Sequence, residues 1–248
     1  MKNKDLKILA IIPGRGSSKG IPSKNIQKLG ELPLIAHTIK SAKNSTKVNR
    51  IIVSTDNKKI AKIAMEYGAD VPFLRPKKFS RNSSSTLDVV QHTIQYLQKV
   101  ENYTPDIITI LLPTSPFRSP DLIDKSIKLL KKTNATSVVS VFKSKEHAFK
   151  AFLPKGGFLK PFKSNYRKYY RRQLLPDFYH TTGAAYTFWF DTLEKFGHYY
   201  GPRMKPIIST KDEMNIDVDS LFDLFVAEMT QKYWKKYLKK NTATVQNL

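Results

Sequence analysis

Short apolar runs alternate with amphipathic segments through the first 142 residues. Apolar runs bounded by turn-forming residues are typical of buried strands, whereas apolar positions recurring every three or four residues indicate helices. The predicted strands are Ile8 to Ile12, Arg50 to Ser54, Val71 to Leu74, Ile107 to Leu112 and Ser137 to Phe142. The predicted helices are Leu32 to Ala42, Lys58 to Tyr67, Ser85 to Lys99 and Asp121 to Lys132, the last opened by Pro120.

This alternation predicts an α/β fold, with a mostly parallel twisted sheet and helices on both of its faces. In such sheets, ligands bind at the carboxyl ends of the strands. The loop after Ile12, the residue Asp56 and the loop beginning at Pro113 each follow a predicted strand. We therefore expect all three to lie at one edge of the sheet.

The pattern changes in residues 143–180, which are rich in Lys, Arg and aromatic residues and have no clean period. We expect an inserted arm there, with a hairpin through Gly156 and Gly157. After the arm, the pattern predicts a returning strand, a short strand, a last helix and a frayed tail, at Ala184 to Phe190, Ile207 to Ile208, Ser220 to Leu238 and Asn241 to Leu248. Residues 1–142 and 181–240 would then form one α/β domain.

The loop after the first strand carries the first chemical signal. Residues 11–25 read IIPGRGSSKGIPSKN and combine three glycines with the cations Arg15, Lys19 and Lys24. Glycines let backbone N–H groups approach an anion, and Arg and Lys neutralise it, so the loop suits a polyphosphate. The glycine spacing fits neither the dinucleotide-binding nor the Walker motif, and a polar connection with scattered cations is the alternative.

Composition narrows the classes of protein. The chain has 248 residues, a net charge of +23 and no cysteine, which excludes disulfides and cysteine-bound metals. No apolar segment is long enough to span a membrane, and the N-terminal apolar run is too short for a signal peptide, so we expect a cytoplasmic protein. The positive charge would attract nucleoside triphosphates and acidic sugars, but also nucleic acid or an anionic membrane.

Two carboxylates near the C-terminus form a second candidate site. Asp217 and Asp219, in the sequence IDVDS, would share one face of an extended segment. Paired carboxylates offer the oxygen ligands that Mg²⁺ prefers. The alternative is a polar turn in which Asp219 or Ser220 caps the following helix.

Several segments together match the motifs of one enzyme family in the family's order. Besides the loop at residues 11–25, they are IIVSTD at Ile51 to Asp56, LRP at Leu74 to Pro76, LLPTSPFR at Leu111 to Arg118, RQLLP at Arg172 to Pro176 and IDVDS at Ile216 to Ser220. With this ordered set, the chain resembles the CMP-N-acylneuraminate synthetases, the cytidylyltransferases that activate acidic sugars. The resemblance covers nearly the whole chain.

The resemblance implies a nucleotide-diphospho-sugar transferase-like, Rossmann-like fold. It also implies an enzyme that joins CTP to an acidic 2-keto sugar with Mg²⁺, giving CMP-sugar and pyrophosphate. It further implies a homodimer in which the arm of residues 143–180 reaches the partner's site. No specific nucleic-acid partner is expected.

The resemblance also assigns roles to individual residues. Catalysis would fall to Arg15 and Lys24, which contact phosphates, and to Asp217 and Asp219, which hold the metal. The nucleotide would contact Pro13, Gly14, Arg15, Gly16, Ser18, Lys24, Asn25, Arg75, Ser84 and Thr86. The sugar would contact Leu112, Lys150, Arg172, Gln173, Thr182, Gly183 and Tyr186.

Three positions depart from the family pattern: Leu112 replaces a Gln, Thr182 an Asn and Asn82 an Asp. An apolar Leu112 cannot make the hydrogen bonds of an amide, so the sugar pocket is expected to differ there. One alternative is therefore a transferase for another sugar, such as 3-deoxy-octulosonate or a sugar phosphate. A non-catalytic basic protein that binds nucleic acid or membrane is the other.

Overall fold

The computed structural model describes residues 6–18, 20–81, 83–144, 146–169 and 171–245. Its strands are β1 (Ile8–Pro13), β2 (Lys28–Leu29), β3 (Leu32–Pro33), β4 (Arg50–Ser54), β5 (Ile107–Ile110), β6 (Ser137–Lys143), β7 (Phe152–Lys155), β8 (Phe158–Pro161), β9 (Tyr179–Trp189) and β10 (Met204–Ile208). Its helices are α1 (Leu34–Lys43), α2 (Lys58–Glu66), α3 (Thr86–Glu101), α4 (Pro120–Lys132), α5 (Phe190–Phe196), α6 (Leu221–Met229) and α7 (Lys235–Val245).

A six-stranded sheet in the order β10-β6-β9-β5-β1-β4 forms the centre of the molecule. Strand β1 pairs in parallel with β4 on one side and β5 on the other, and β10 pairs in parallel with β6. Strand β9 runs antiparallel to both of its neighbours. The prediction of a mostly parallel sheet covered by helices is confirmed.

Helices cover both faces of this sheet. The side chains of β1 alternate between two cores: Ile8, Ala10 and Ile12 pack with α1, α2 and α4, while Leu9 and Ile11 pack with α3 and α5. All five are buried. An uninterrupted apolar run is therefore what a strand buried on both sides requires.

Several elements differ from the sequence-based expectations. Leu32 and Pro33, predicted as the start of a helix, form β3, and the helix begins at Leu34. The segment predicted as a strand from Val71 makes only single bridges on either side, at Asp70 and Leu74, since Pro72 between them has no N–H to donate. Helix α5 was not predicted. The last helix continues through a π-helical segment, Thr230–Trp234, as far as Val245, because no Gly or Pro follows Leu238 to end it.

The hairpin predicted in the arm is confirmed. Strands β7 and β8 pair antiparallel, and Gly156 and Gly157 connect them with φ of 61° and 78°, values that favour glycine. Several large apolar side chains in and beside this hairpin are exposed: Phe152, Leu153, Phe158, Leu159 and Phe162.

Within the described residues, no helix is long and apolar enough to cross a membrane.

Candidate functional site

Most of the predicted nucleotide residues and both predicted metal residues meet in one cavity at the carboxyl edge of the sheet, whereas Gly14 and Gly16 lie outside its lining. Strand β1 has β4 on one side and β5 on the other, so the loop after β1 lies where connections diverge, a common ligand position in α/β folds. A cavity of about 330 Å³ opens there. Its lining includes the predicted residues Pro13, Arg15, Ser18, Lys24, Asn25, Arg75, Ser84, Thr86, Leu112, Asp217 and Asp219.

A larger cavity, of about 760 Å³, lies at the opposite, amino-terminal edge of the strands. Its walls include Lys7, Asp106, Trp189 and Arg203, and none of the predicted site residues. Size alone would point to this cavity, whereas the chemistry and the strand directions point to the smaller one.

The loop after β1 is held by the end of β4. Gly14 N donates to Ser54 O at 3.0 Å, and Gly16 N donates to Asp56 Oδ1 at 2.8 Å. Asp56 therefore orders this loop, whereas Asn57 is the residue that caps α2. From inside the loop, the buried Asn25 donates through Nδ2 to Arg15 O at 2.8 Å. These bonds fix the backbone that carries Arg15.

The loop also touches the segment that carries the two carboxylates. A Cβ at Gly20 would lie 2.2 Å from Asp219 O, so only glycine fits there without movement. Farther along, Ser23 has φ of 53°, unusual for a residue other than glycine, and the buried Lys24 follows it. This conformation precedes the short turn Lys24–Ile26.

The two carboxylates of the IDVDS segment face the same side, with a buried residue between them. Val218 is fully buried and its N–H donates to Thr114 O at 2.8 Å, whereas Asp217 and Asp219 line the cavity. The capping alternative also holds, because Ser220 caps α6. Asp223 completes that cap and accepts from Asp219 N at 3.1 Å, so the helix start positions the second carboxylate.

Asp219 forms an ion pair with a lysine, and neighbouring charges shift the pKa of Asp217 in both directions. Lys24 Nζ lies 2.6 Å from Asp219 Oδ1. Asp217 is open to the cavity, but burial of its carboxyl raises its pKa. A hydrogen bond from Thr114 and the charge of Lys24 lower that pKa, whereas the charges of Asp219 and Asp223 raise it further.

Asp217 and Asp219 suit a divalent cation that takes its remaining ligands from a substrate. The described residues contain no group of three or more acidic, His or Cys side chains able to hold a metal unaided. Mg²⁺ is commonly held by one or two carboxylates together with substrate phosphates and water. Two carboxylates that line one cavity with Arg15 and Lys24 fit this mode of binding.

The opposite wall of the cavity surrounds Arg75. Its buried side chain donates through Nε to Ser80 Oγ at 3.1 Å, and Nη2 lies 3.9 Å from Asp56 Oδ1. Burial lowers its pKa, Asp56 raises it and Arg15 lowers it again. Ser84 and Thr86 lie on either side of Ser85, which caps α3 in a reciprocal capping box with Asp88.

The predicted sugar residues are divided between three places. Leu112 lines the cavity, and Gly183 packs behind it. The buried Thr182 hydroxyl lies 2.6 Å from Ser140 Oγ, and the buried Tyr186 ring packs against Tyr199 and Tyr200.

The remaining predicted sugar residues lie within residues 143–180, outside the lining of this cavity. Lys150 and Gln173 are exposed. Arg172 belongs to the short turn Arg172–Leu174, and its side chain lies outside the part of the chain that is described. Lys19 and Asn82 also lie outside the described residues.

The sequence model of the cytidylyltransferase family matches residues 9–241. The chain belongs to this family. The motif-based resemblance is thereby confirmed, and the protein is a nucleotidyltransferase by descent. The alternative of a non-catalytic basic protein is set aside.

Two relatives illustrate the match. The chain is 32% identical over 224 residues to the CMP-N,N'-diacetyllegionaminic acid synthase of Legionella pneumophila, covering 90% of this chain and 95% of that protein. It is 31% identical over 229 residues to the N-acylneuraminate cytidylyltransferase of Escherichia coli, covering 91% of this chain. There it spans about half of the relative, 52% of its length.

A solved structure gives the same fold. A CMP-2-keto-3-deoxy-manno-octonic acid synthetase complexed with CTP aligns with a TM-score of 0.65 and 16% identity. The alignment covers 91% of this chain and 99% of that chain. At this identity the likeness concerns the fold alone.

Sequence reasoning missed Arg118, although it ends a motif that was recognised. Its guanidinium, 6% exposed, donates to Leu112 O at 2.8 Å, to Thr38 Oγ1 at 3.0 Å and to Ala184 O. Burial lowers its pKa to about 9, which leaves it charged at neutral pH. Arg118 thus joins α1, the loop after β5 and the middle of β9, and it contacts the backbone of the predicted sugar residues Leu112 and Gly183.

Other cavity residues were also missed. They are Phe79, Arg81, Ser85, Val89 and Thr114. Thr114 lies inside the LLPTSPFR motif, and Ser85 begins a predicted helix, so both carried a local signal. Phe79 and Arg81 carried none, because only the folding of the segment before α3 brings them to the cavity.

Proposed function

We propose that the protein transfers the cytidylyl group of CTP to an acidic 2-keto sugar, a nonulosonic acid of the N-acylneuraminate type, and releases pyrophosphate. Membership of the cytidylyltransferase family supports the class of reaction. The observation that carries the proposal is the meeting of Arg15, Lys24, Asp217 and Asp219 around one cavity. The two named relatives support the class of sugar.

In the proposed reaction, the anomeric hydroxyl oxygen of the sugar attacks the α-phosphorus. A bond forms between that oxygen and phosphorus, the bond to the bridging oxygen breaks with its electron pair leaving on pyrophosphate, and the hydroxyl proton passes to solvent. Charge builds on the phosphate oxygens in such a transfer, so cations fixed beforehand lower the barrier. Arg15 and Lys24, which line the cavity together with Arg75 and Arg81, are the cations assigned to the phosphates.

Asp217 and Asp219 would hold Mg²⁺. When bound there, the ion would neutralise the phosphates and polarise the α-phosphorus. The chain's own contribution is to fix the two carboxylates, through the buried Val218 between them and the cap of α6 after them.

The nucleotide contacts remain those assigned from the sequence. Pro13, Gly14, Gly16 and Ser18 would present loop groups to the phosphates, and Asn25, Arg75, Ser84 and Thr86 would contact the nucleoside. The sugar would meet Leu112 first, because Leu112 lines the cavity beside Pro113 and Thr114.

We also propose that residues 143–180 form an arm inserted in a single α/β domain, residues 1–142 and 181–240, and that the active form is a homodimer. Lys150, Arg172 and Gln173 would reach the partner's cavity. The exposed apolar side chains of the β7–β8 hairpin support this proposal, since apolar clusters of this kind mark interaction surfaces. Exposed Leu221, Phe222 and Phe225 of α6 offer a second apolar surface.

Pyrophosphate release tests the function. The protein is incubated with Mg²⁺, CTP and each of a panel of acids, including N-acylneuraminate, legionaminate and 3-deoxy-octulosonate, with ATP, GTP and UTP as controls. We expect pyrophosphate release only when CTP is combined with a nonulosonic acid, and none with the other nucleoside triphosphates or with 3-deoxy-octulosonate. Asp217→Asn should abolish this release, whereas Asp191→Asn, on the exposed face of α5, should not.

Two outcomes would contradict the proposal. Release with 3-deoxy-octulosonate alone would replace the sugar class and keep the chemistry. No CTP binding in calorimetry would overturn the assignment of the cavity.

A further inference from the structure

The ion pair between Lys24 and Asp219 joins two groups to which the proposed function gives opposite tasks. Lys24 is assigned to the phosphates and Asp219 to the metal. Their atoms Nζ and Oδ1 lie 2.6 Å apart. The Lys24 side chain is 10% exposed, whereas that of Asp219 is 72% exposed. The buried ammonium thus reaches a carboxylate that is otherwise open to the cavity.

Both partners are held in place independently of each other. Lys24 follows Ser23, with its φ of 53°, and begins a short turn whose backbone bonds include Ile26 N to Ser23 O at 2.9 Å. The backbone of Asp219 is held by Asp223 at the start of α6. The pair is therefore built into the fold of the described chain.

An ammonium in this position opposes the binding of a metal ion. It neutralises one of the two carboxylates, so the pair Asp217 and Asp219 together with Lys24 carries a net charge of −1 instead of −2. A divalent cation at the same oxygens would also lie within a few Å of the ammonium, where repulsion between like charges is strong.

A nucleoside triphosphate removes this obstacle, because its phosphates offer Lys24 another anion. We propose that Lys24 couples the two ligands: it occupies Asp219 in the free protein and releases it when phosphates arrive, so that metal binds well only with nucleotide. The inference rests on the proposed function. Because such coupling is reciprocal, the metal must raise the affinity for nucleotide by the same factor.

The first test uses Mn²⁺ alone and needs no nucleotide. Free Mn²⁺ is titrated by its paramagnetic resonance signal against the full-length wild type, Lys24→Gln and Lys28→Gln. Lys28 is an exposed cation four positions along the chain, so its replacement changes the net charge equally. We expect Lys24→Gln to bind Mn²⁺ about three- to tenfold more tightly than the wild type, and Lys28→Gln to match the wild type.

The second test uses the other partner and serves if Lys24→Gln fails to fold. CTP binding is measured by calorimetry in EDTA for the wild type and Asp219→Asn. Freed from Asp219, Lys24 is available to phosphate, so we expect Asp219→Asn to bind metal-free CTP about three- to tenfold more tightly. Asp217→Asn is the control, because it removes the same negative charge from the cavity without freeing Lys24. Only tightening beyond that of Asp217→Asn is attributed to Lys24.

The inference is overturned if Lys24→Gln folds and binds Mn²⁺ no more tightly than the wild type, or if Asp219→Asn binds metal-free CTP no more tightly than Asp217→Asn does. Its failure is distinct from failure of the proposed function. If only the inference fails, the wild type still binds CTP and turns it over. If the proposed function fails, neither the wild type nor any variant binds CTP.

Discussion

At the scale of single residues, Gly20 shows how closely the two halves of the site approach. The loop after β1 and the carboxylate segment meet at this position, where a Cβ would collide with Asp219 O. A backbone atom cannot move aside as the end of a long side chain can. The close contact at Gly20 therefore helps to fix the distance between the phosphate-binding loop and the metal-binding carboxylates.

We expect Gly20→Ala to weaken CTP binding at least about tenfold, since separating the loop from Asp219 displaces Lys24 and Arg15. The measurement is calorimetric titration with CTP, with circular dichroism as a check of the fold. The matched control is Gly156→Asn in the hairpin, where nothing lies within 4 Å and Asn tolerates positive φ. Equal CTP affinity in the two variants would show that the loop adapts to the added methyl group.

Arg118 is expected to contribute to the stability of the fold. It is buried with carbonyl and hydroxyl partners, so removing it leaves several acceptors unpaired between β5, β9 and α1.

We expect Arg118→Met to lower the free energy of unfolding by about 2–4 kcal/mol, measured by urea denaturation. Arg118→Lys should recover little of this loss, because a single ammonium cannot serve partners on three elements. The exposed Arg203→Met is the control, with an expected effect of at most about 1 kcal/mol. Similar losses for Arg118→Met and Arg203→Met would mean that the buried bonds add little.

At the scale of elements, α4 secures the turn that follows α1. Asp124 of α4 accepts from Thr46 Oγ1 at 2.7 Å, from Thr46 N at 3.1 Å and from Ser45 Oγ. Burial alone would raise the pKa of Asp124, but the hydrogen bonds from Ser45 and Thr46 outweigh it, and the pKa is lowered. The charged form of Asp124 is therefore the one that stabilises the fold.

We expect Asp124→Asn to lower the free energy of unfolding at neutral pH by about 1 kcal/mol, a modest value because the carboxylate is partly exposed. A carboxylate with a lowered pKa in the folded state contributes stability above its unfolded pKa of 3.8 and loses it as the pH falls through the folded value. The difference between wild type and variant should thus be full at pH 7 and shrink below pH 3.8.

Urea denaturation at several pH values provides the measurement. Asp121→Asn, on the same helix but in an exposed pair with Lys125, should change stability by at most about 0.5 kcal/mol. A difference for Asp124→Asn that stays constant down to pH 2 would contradict the assigned role of the charge.

At the scale of the whole molecule, two properties indicate interactions with other molecules. One is the net charge of +23, and the other is the apolar surface of the arm and α6. A strong positive field raises the local concentration of anionic substrates. Apolar side chains exposed on a hairpin are typical of a surface that another chain covers.

We expect the protein to be a dimer and Phe158→Ser combined with Leu159→Ser to make it monomeric. These side chains are 76% and 71% exposed, so the change should leave the fold of each chain intact. Light scattering after size exclusion gives the mass, and Lys160→Ser in the same hairpin is the control. A monomeric wild type at micromolar concentration would remove the proposed role of the arm in the partner's site.

We expect the KM for CTP to rise roughly three- to tenfold between low and 0.3 M salt while kcat changes little, because salt screens the attraction of the substrate. Replacing the exposed Lys128, Lys131 and Lys132 of α4 by Gln should reduce this dependence without abolishing activity. A KM independent of salt would leave the charge without a part in substrate capture.

The sequence by itself determined most of the helices and strands, and it located the two segments that carry the phosphate-binding and metal-binding residues. Hydrophobic periodicity is local, and it located β1, β4, β5 and β6 with most of their helices. The Gly-rich loop and the IDVDS segment were also readable, because each combines a short spacing with one kind of chemistry. Errors arose where a local rule acted against the pattern, as at Pro72, or where nothing ended a helix, as after Leu238.

Tertiary structure alone decided which of these pieces meet. Lys24 and Asp219 are 195 residues apart, and Arg118 and Ala184 are 66 apart, so no local pattern could join them. The antiparallel direction of β9 and the position of Phe79 and Arg81 in the cavity wall also depend on long-range packing. Periodicity reports which face of an element is buried, whereas the neighbours of that face are set by how all the elements fill one core.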